Sequence, residues 1–171
     1  VAEMLAEEVP DHKLKMQSIA SHIVSRPYVW YVVECARKVR SGGELSTCVD
    51  ELKRKLDCVE ICLAAYSLKQ MKKSGRVSAA AAVVGDLLGI RPIISLNAGV
   101  SKVEAKVRGD AAVPPAMIKW VESRVDPMQD TPYMVAYTSS TAKRDELVKL
   151  CKHTFGHPPL IVFHPAGVAR A

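Results

Sequence analysis

Residues 66–96, YSLKQMKKSGRVSAAAAVVGDLLGIRPIISL, constrain the fold of this chain more than any other stretch. They run from a basic linker through Ser74-Gly75-Arg76-Val77-Ser78 into an apolar segment, a glycine and a second apolar run. Ser78 suits a helix N-cap, because its hydroxyl can accept a bond from an orphan amide two or three residues on. The alanines at 79–82 favour helix, and Gly89 stands where a left-handed residue would end one. Between 79 and 88 only Asp86 is charged. A helix that is apolar all round belongs in a core or against an apolar ligand. Gly85 in its middle costs about 1 kcal/mol relative to Ala, which points to a close approach of another group to the backbone. The run at 91–96 reads as a buried strand.

Strand and helix signals alternate through the rest of the chain. Residues 12–19 alternate weakly, with Leu14, Met16 and Ser18 on one side, and read as a strand. Residues 27–41 read as a helix with Pro27 at its first position, an apolar stripe of Val29, Val32, Ala36 and Val39, and a stop at Gly42-Gly43. A second helix is expected over 44–57, with Leu45, Val49, Leu52 and Leu56 inward and Lys53, Arg54 and Lys55 outward. A β-like run follows at 59–65. Residues 91–107 read as a hairpin about Asn97-Ala98-Gly99, since Asn and Gly tolerate positive φ. Pro114-Pro115 opens a helix to Val125 with Met117, Trp120 and Val121 facing in, Arg124 as a further candidate, and Asp126-Pro127 as its breaker. YMVAY at 133–137 and LIVF at 160–163 read as parallel strands buried on both faces. Thr138-Ser139-Ser140-Thr141 would cap the helix between them, with Leu147, Leu150, Cys151 and Phe155 as its stripe and Gly156 as its end. The expected fold class is therefore α/β, a mixed β-sheet with flanking helices.

Composition narrows the function. The 171 residues are 49% hydrophobic but only 5% aromatic, enough for a sizeable, mostly aliphatic core. No apolar run is long enough for an ordinary transmembrane helix. The net charge is +6, but the 24 basic residues are scattered, which fits a solvated surface better than a nucleic-acid stripe interleaved with aromatics. Five cysteines, an odd number without a C-x-x-C pair, argue against a disulfide framework or a zinc ribbon. Reduced, buried or half-buried thiols in a cytoplasmic protein are expected, with Cys58 and Cys62 on one face of a strand. No carboxylate or cysteine follows His153 and His157 at ligand spacing, so no metal is expected. Without a Walker loop or G-x-G-x-x-G, no nucleotide cofactor is expected either. Ser139-Ser140-Thr141 lacks a nucleophile elbow. The opening VAEMLAEEVPD is unlike a signal peptide and reads as a helix without an N-cap, hence as a chain cut in mid-helix.

Lys72-Lys73-Ser74-Gly75-Arg76-Val77-Ser78, the alanine-rich segment after it, Ile90-Arg91-Pro92-Ile93-Ile94 and Lys106-Val107-Arg108-Gly109 together resemble the DegV family. That family consists of bacterial two-domain proteins that bind a fatty acid between the domains and are thought to hand it to a fatty acid kinase. The resemblance covers nearly the whole chain and is most specific between 68 and 109. It implies that residues 1–57 are the remnant of an N-terminal α/β domain and residues 58–171 a C-terminal α/β domain. The missing part would hold the first strands and two hydroxyl-rich loops that grip the lipid carboxylate. Taken alone, Arg76 fits an exposed arginine in a Lys-rich turn, or a fixed guanidinium for a carboxylate. The resemblance favours the second, and implies Arg76, Ser78 and His164 as ligand-binding residues. Lys106 and Arg108 are implied as part of a face that docks the kinase partner. The sequence departs from the family around 17–27, where His22 and Arg26 could line a domain junction, with a solvated or capping role as the other reading of His22. It also departs after His164, where Pro165-Ala166-Gly167 keeps the histidine and alters the glycine pattern. The expectation is a cytoplasmic fatty-acid carrier and not an enzyme. The alternative, a hydrolase or transferase acting on a small acyl or polar substrate, needs an activated nucleophile–base pair, and the sequence shows none.

Overall fold

The computed structural model describes residues 19–21, 23, 26–66, 89–97, 100–125, 131–138 and 140–163. The chain divides into two compact units, Val1–Val59 and Glu60–Ala171.

The first unit contains helices α1 (Arg26–Arg40) and α2 (Leu45–Asp57). α1 ends as the glycine pair predicts: Gly42 takes a φ of 96° and its amide bonds Val39 O at 3.1 Å, while the Gly43 amide bonds Lys38 O at 2.9 Å. A Cβ on Gly43 would come within 2.8 Å of that same oxygen, so both glycines are required. α2 is capped by Glu44, whose carboxylate accepts from the amides of Ser46 at 3.0 Å and Thr47 at 2.7 Å. These bonds, with the Ser46 hydroxyl foremost, pull the Glu44 carboxyl down to about 2.

Two expectations in this unit are corrected. Val29, Val32 and Ala36 of the expected α1 stripe are exposed, and the side with Tyr31, Glu34, Cys35 and Lys38 lines the seam with α2. Ion pairs flank that seam: Lys38 meets Glu51 at 2.7 Å, and Lys55 meets Glu34 at 3.5 Å. On α2 the buried row is Cys48, Leu52 and Leu56, so a thiol takes the place assigned to Leu45, which is exposed. The strand expected over 12–19 lies almost wholly outside the described residues.

The second unit holds a three-stranded antiparallel sheet in the order β1 (Ile61–Ala64), β2 (Ile90–Asn97), β3 (Val100–Arg108). The β2–β3 ladder runs from Ile90 opposite Arg108 to Asn97 opposite Val100, so the expected hairpin is present, with Asn97 paired within the strand and not part of the turn. A 3-10 turn (Asp110–Ala112) leads into α3 (Val113–Glu122), which packs across all three strands. Its buried residues are Val113, Pro114, Ile118 and Trp120. Of the expected inward set only Trp120 is buried; Met117 and Val121 are half-buried and Arg124 is exposed. The helix stops at Ser123, whose hydroxyl bonds Trp120 O at 2.6 Å, before Asp126-Pro127 is reached. Cys58 ends α2 and is exposed, so it shares no strand with Cys62 on β1.

Next come β4 (Met134–Ala136), α4 (Thr141–Phe155) and β5 (Ile161–Phe163), with β5 parallel to β4 across the α4 crossover. Ser140 caps α4 by accepting from the Lys143 amide, and Gly156 ends it. Only Val135 of β4 is buried, and Leu160 and Val162 are exposed, so burial on both faces does not hold for this pair. The class is α/β, with antiparallel and parallel pairing in separate sheets among the described residues. No helix among them is long and apolar enough to cross a membrane.

Candidate functional site

Arg76, Ser78 and His164 lie outside the described residues, as does the helix expected over 79–88. The structure describes the supports on either side of that stretch. β1 leads to Tyr66, and Gly89, with a φ of 81°, leads into β2. The Ala65 amide donates to Pro92 O at 3.4 Å, and the Gly109 amide to Gly89 O at 2.7 Å. Beside them stands Asp110, whose Oδ1 accepts from Arg91 Nε at 2.8 Å and whose Oδ2 accepts from Lys143 Nζ. The Lys143 ammonium also sits 3.6 Å from the centre of the Tyr66 ring. The bond from Lys143 first, then that from Arg91, holds the Asp110 carboxyl below the usual carboxylate range. Burial foremost, and then Asp110, pushes the Tyr66 hydroxyl up.

A second polar cluster lies where α3 meets the sheet. The register shifts between Ile93 and Ile94, which leaves Glu104 as the extra residue of a β-bulge on β3. Its carboxylate accepts from Ser95 Oγ at 2.7 Å and from Lys102 Nζ at 3.2 Å. Arg124 reaches Glu104 at 3.7 Å and Glu60 at 3.8 Å, with its guanidinium 5.3 Å from the centre of the Trp120 ring. The Ser95 bond is the foremost cause that lowers the Glu104 carboxyl. Trp120 Nε1 is buried with no hydrogen-bond partner among the described residues.

Cys62, opposite Ser95 in the β1–β2 ladder, is pushed up to about 12, by burial first and then by Glu104. Burial likewise pushes Cys151 up to about 11. Both thiols stay protonated at neutral pH and are poor nucleophiles.

Lys106 and Arg108 are exposed on β3. They stand opposite Pro92 and Ile90, two positions apart, and so share one face of the strand. Sequence reasoning missed Asp110, Lys143 and Tyr66 as a group, and no local signal joins them. Glu104 left a trace, as the single acid in the strand VSKVEAKVR.

A family model described as an uncharacterised protein family, DegV, matches residues 1–169. A DegV domain-containing protein of Clostridium perfringens is 25% identical over 155 residues, covering 90% of this chain and 52% of the relative. Another, from Streptococcus pyogenes, is 30% identical over 151 residues, covering 86% of this chain and 52% of the relative. The chain thus spans about half the length of these curated relatives. Among solved structures, a DegV family protein from Eubacterium eligens loaded with heptadecanoic acid superposes with a TM-score of 0.80 at 17% identity, covering 95% of this chain and 58% of that one. A fatty acid binding DegV family protein from Streptococcus agalactiae gives 0.76 at 22% identity, covering 95% and 56%. At those identities the structures show a shared fold, while the family model spans nearly every residue. The chain belongs to the DegV family.

Proposed function

We propose that the protein is a cytoplasmic, non-enzymatic fatty-acid carrier. It buries a long acyl chain between two domains and presents the carboxylate to a kinase partner. One observation carries this reading: the chain shares its fold with DegV proteins described as loaded with heptadecanoic acid or as fatty acid binding. In the proposal, residues 1–57 belong to the first domain and residues 58–171 to the second. Arg76, Ser78 and His164 hold the carboxylate, and Lys106 and Arg108 belong to the partner's docking face. The chemistry is sufficient for the task. Burying an acyl chain gains about 0.8 kcal/mol per methylene, and charge-assisted bonds to the carboxylate contribute about 1.5–3 kcal/mol each. Cys35, Cys48, Cys58, Cys62 and Cys151 are all free, as a reducing compartment would leave them.

The test is mass spectrometry of lipid that co-purifies with the whole protein, followed by binding measurements on Arg76→Ala. A long-chain fatty acid should accompany the wild type, and Arg76→Ala should bind it about tenfold or more weakly at an unchanged melting temperature. A protein that carries no acyl ligand, or an Arg76→Ala variant that binds as the wild type does, would sink the reading. Arg108→Ala should slow kinase turnover most at low salt, since exposed charges at a rim act on association.

A further inference from the structure

We propose that the β-bulge at Glu104 keeps β3 from pairing with the same strand of a second copy of this chain. β3 is an outer strand of its sheet and pairs with β2 alone among the described residues. An outer strand presents unpaired amides and carbonyls, so it invites a further strand to add. The other outer strand, β1, is only four residues long and half-buried throughout. β3 has nine residues, and Val100, Ser101, Lys102, Ala105, Lys106 and Arg108 are exposed. Val100, at 67% exposure, adds an apolar β-branched side chain of the kind that favours strand pairing. By length and exposure, β3 is the strand open to self-association.

Three features of the strand oppose that pairing. The register shift opposite Ile93 and Ile94 puts one extra residue on β3. A bulge bends and twists its strand, so it divides this edge into two short stretches, 100–103 and 105–108, that do not lie in one line. The extra residue is also pinned. Glu104 accepts from Ser95 Oγ of β2 at 2.7 Å, and Arg124, just past α3, reaches it at 3.7 Å. Ser95 is 6% exposed, so flattening the bulge would leave a buried hydroxyl without its acceptor. Finally, the strand carries three cations, Lys102, Lys106 and Arg108, against one acid. The longest antiparallel pairing of two copies is centred on residue 104. It would set Lys102 of one copy opposite Lys106 of the other, and like charges directly opposite are destabilising. Deleting Glu104 removes the bulge and keeps the ladder. The pairs Ile93–Ala105 and Ile94–Val103 flank it, so they become consecutive and every pair retains its partner and its face.

The test compares four forms of the whole protein: the wild type, Glu104→Gln, the deletion of Glu104, and Lys106→Thr combined with Arg108→Thr. Sedimentation velocity and amide exchange of peptides from 100–108 are read from low to high micromolar protein. The wild type should exchange at one rate at every concentration. Glu104→Gln should do the same, because glutamine keeps the extra residue and an acceptor for Ser95. The deletion variant should form dimers as the concentration rises. Exchange at 100–108 should then slow about tenfold or more, while peptides from α2 exchange as before. Lys106→Thr with Arg108→Thr changes two exposed side chains, so it should fold as the wild type does and associate about tenfold more weakly than the deletion variant. A folded deletion variant that stays monomeric overturns the proposal. So does a wild type whose exchange at 100–108 already slows with concentration. If the deletion variant does not fold, the double variant decides. Slower exchange at 100–108 with rising concentration upholds the proposal, and exchange that ignores concentration sinks it.

Discussion

Ile93 and Ile94 on β2 are 0% and 2% exposed, whereas Leu160 and Val162 at β5 are 44% and 41% exposed, although both pairs lie in nearly uninterrupted apolar runs. The difference lies in what covers each sheet. β2 is the central strand of three, with β1 and β3 bonded to its edges and α3 laid across them. Among the described residues β5 pairs with β4 alone, and each contributes three residues to the ladder. An apolar run therefore reports that a segment can be buried. Whether it is buried depends on the elements that arrive from elsewhere in the chain.

Substitutions under α3 should therefore cost the most. Trp120→Ala empties the contact between α3 and the sheet and should cost about 3–5 kcal/mol in chemical denaturation. Trp120→Phe keeps the six-membered ring, loses the five-membered part of the indole and removes a buried donor that has no partner among the described residues, so its cost should fall well below that of Trp120→Ala. A loss for the phenylalanine variant as large as that for the alanine variant would mean that Nε1 does find a partner, such as a buried water. Ile93→Ala comes next, at about 2–5 kcal/mol, since the central strand has little room to collapse around the cavity.

How much of this was legible depended on sequence separation. The two helices of the first unit, the hairpin, the Ser140 cap and the Gly156 stop follow from signals within a few residues, and they stand where the sequence placed them. The rotation of α1 was misread because Val29, Val32 and Ala36 form a better apolar stripe than the side it turns to α2. That side carries Lys38 with Glu51 and Lys55 with Glu34, contacts between helices that no single-helix pattern contains. Glu44 was missed as a cap because glutamate is a rare one, and here the following Ser46 and Thr47 complete it. At the candidate site, Arg76, Ser78 and His164 came from the family resemblance and lie outside the described residues. The exposure of Lys106 and Arg108 could be read from alternation along β3. The Asp110–Lys143 contact spans 33 positions and left no mark in either neighbourhood.

Glu104 gives an effect smaller than those core substitutions, and one that depends on pH. Its carboxyl lies below the ordinary range because Ser95 donates to it and because Lys102 and Arg124 stand close. A carboxyl whose pKa is lower in the fold than in the unfolded chain stabilises the fold fully above the unfolded value. That contribution is lost as the pH falls through the folded value. Glu104→Gln should therefore lower stability at neutral pH and flatten its decline on the acid side, and the two proteins should converge at low pH. Urea titrations of both at several pH values would show it. Parallel curves, offset by the same amount at every pH, would mean that Glu104 acts through shape and not through charge.

Val162→Thr on β5 is the smallest effect and the most exacting test of the comparison. The two side chains have nearly the same shape, and threonine suits a strand as well as valine does, so the substitution isolates the cost of placing a hydroxyl where a methyl was. In a covered position that hydroxyl would lose its water and cost about 1–3 kcal/mol without a new partner. Val162 is exposed and, among the described residues, its strand pairs on one side only, so the hydroxyl stays hydrated and the change should fall within about 0.5 kcal/mol. Ile94→Thr on β2 makes the same kind of exchange, with one carbon less, where the side chain is enclosed, and it should cost several times more. The ratio of the two, measured by urea denaturation of the same preparation, tests the argument directly. A Val162→Thr loss comparable to that of Ile94→Thr would show that something covers β5 in the whole protein, and the contrast between the two sheets would then disappear.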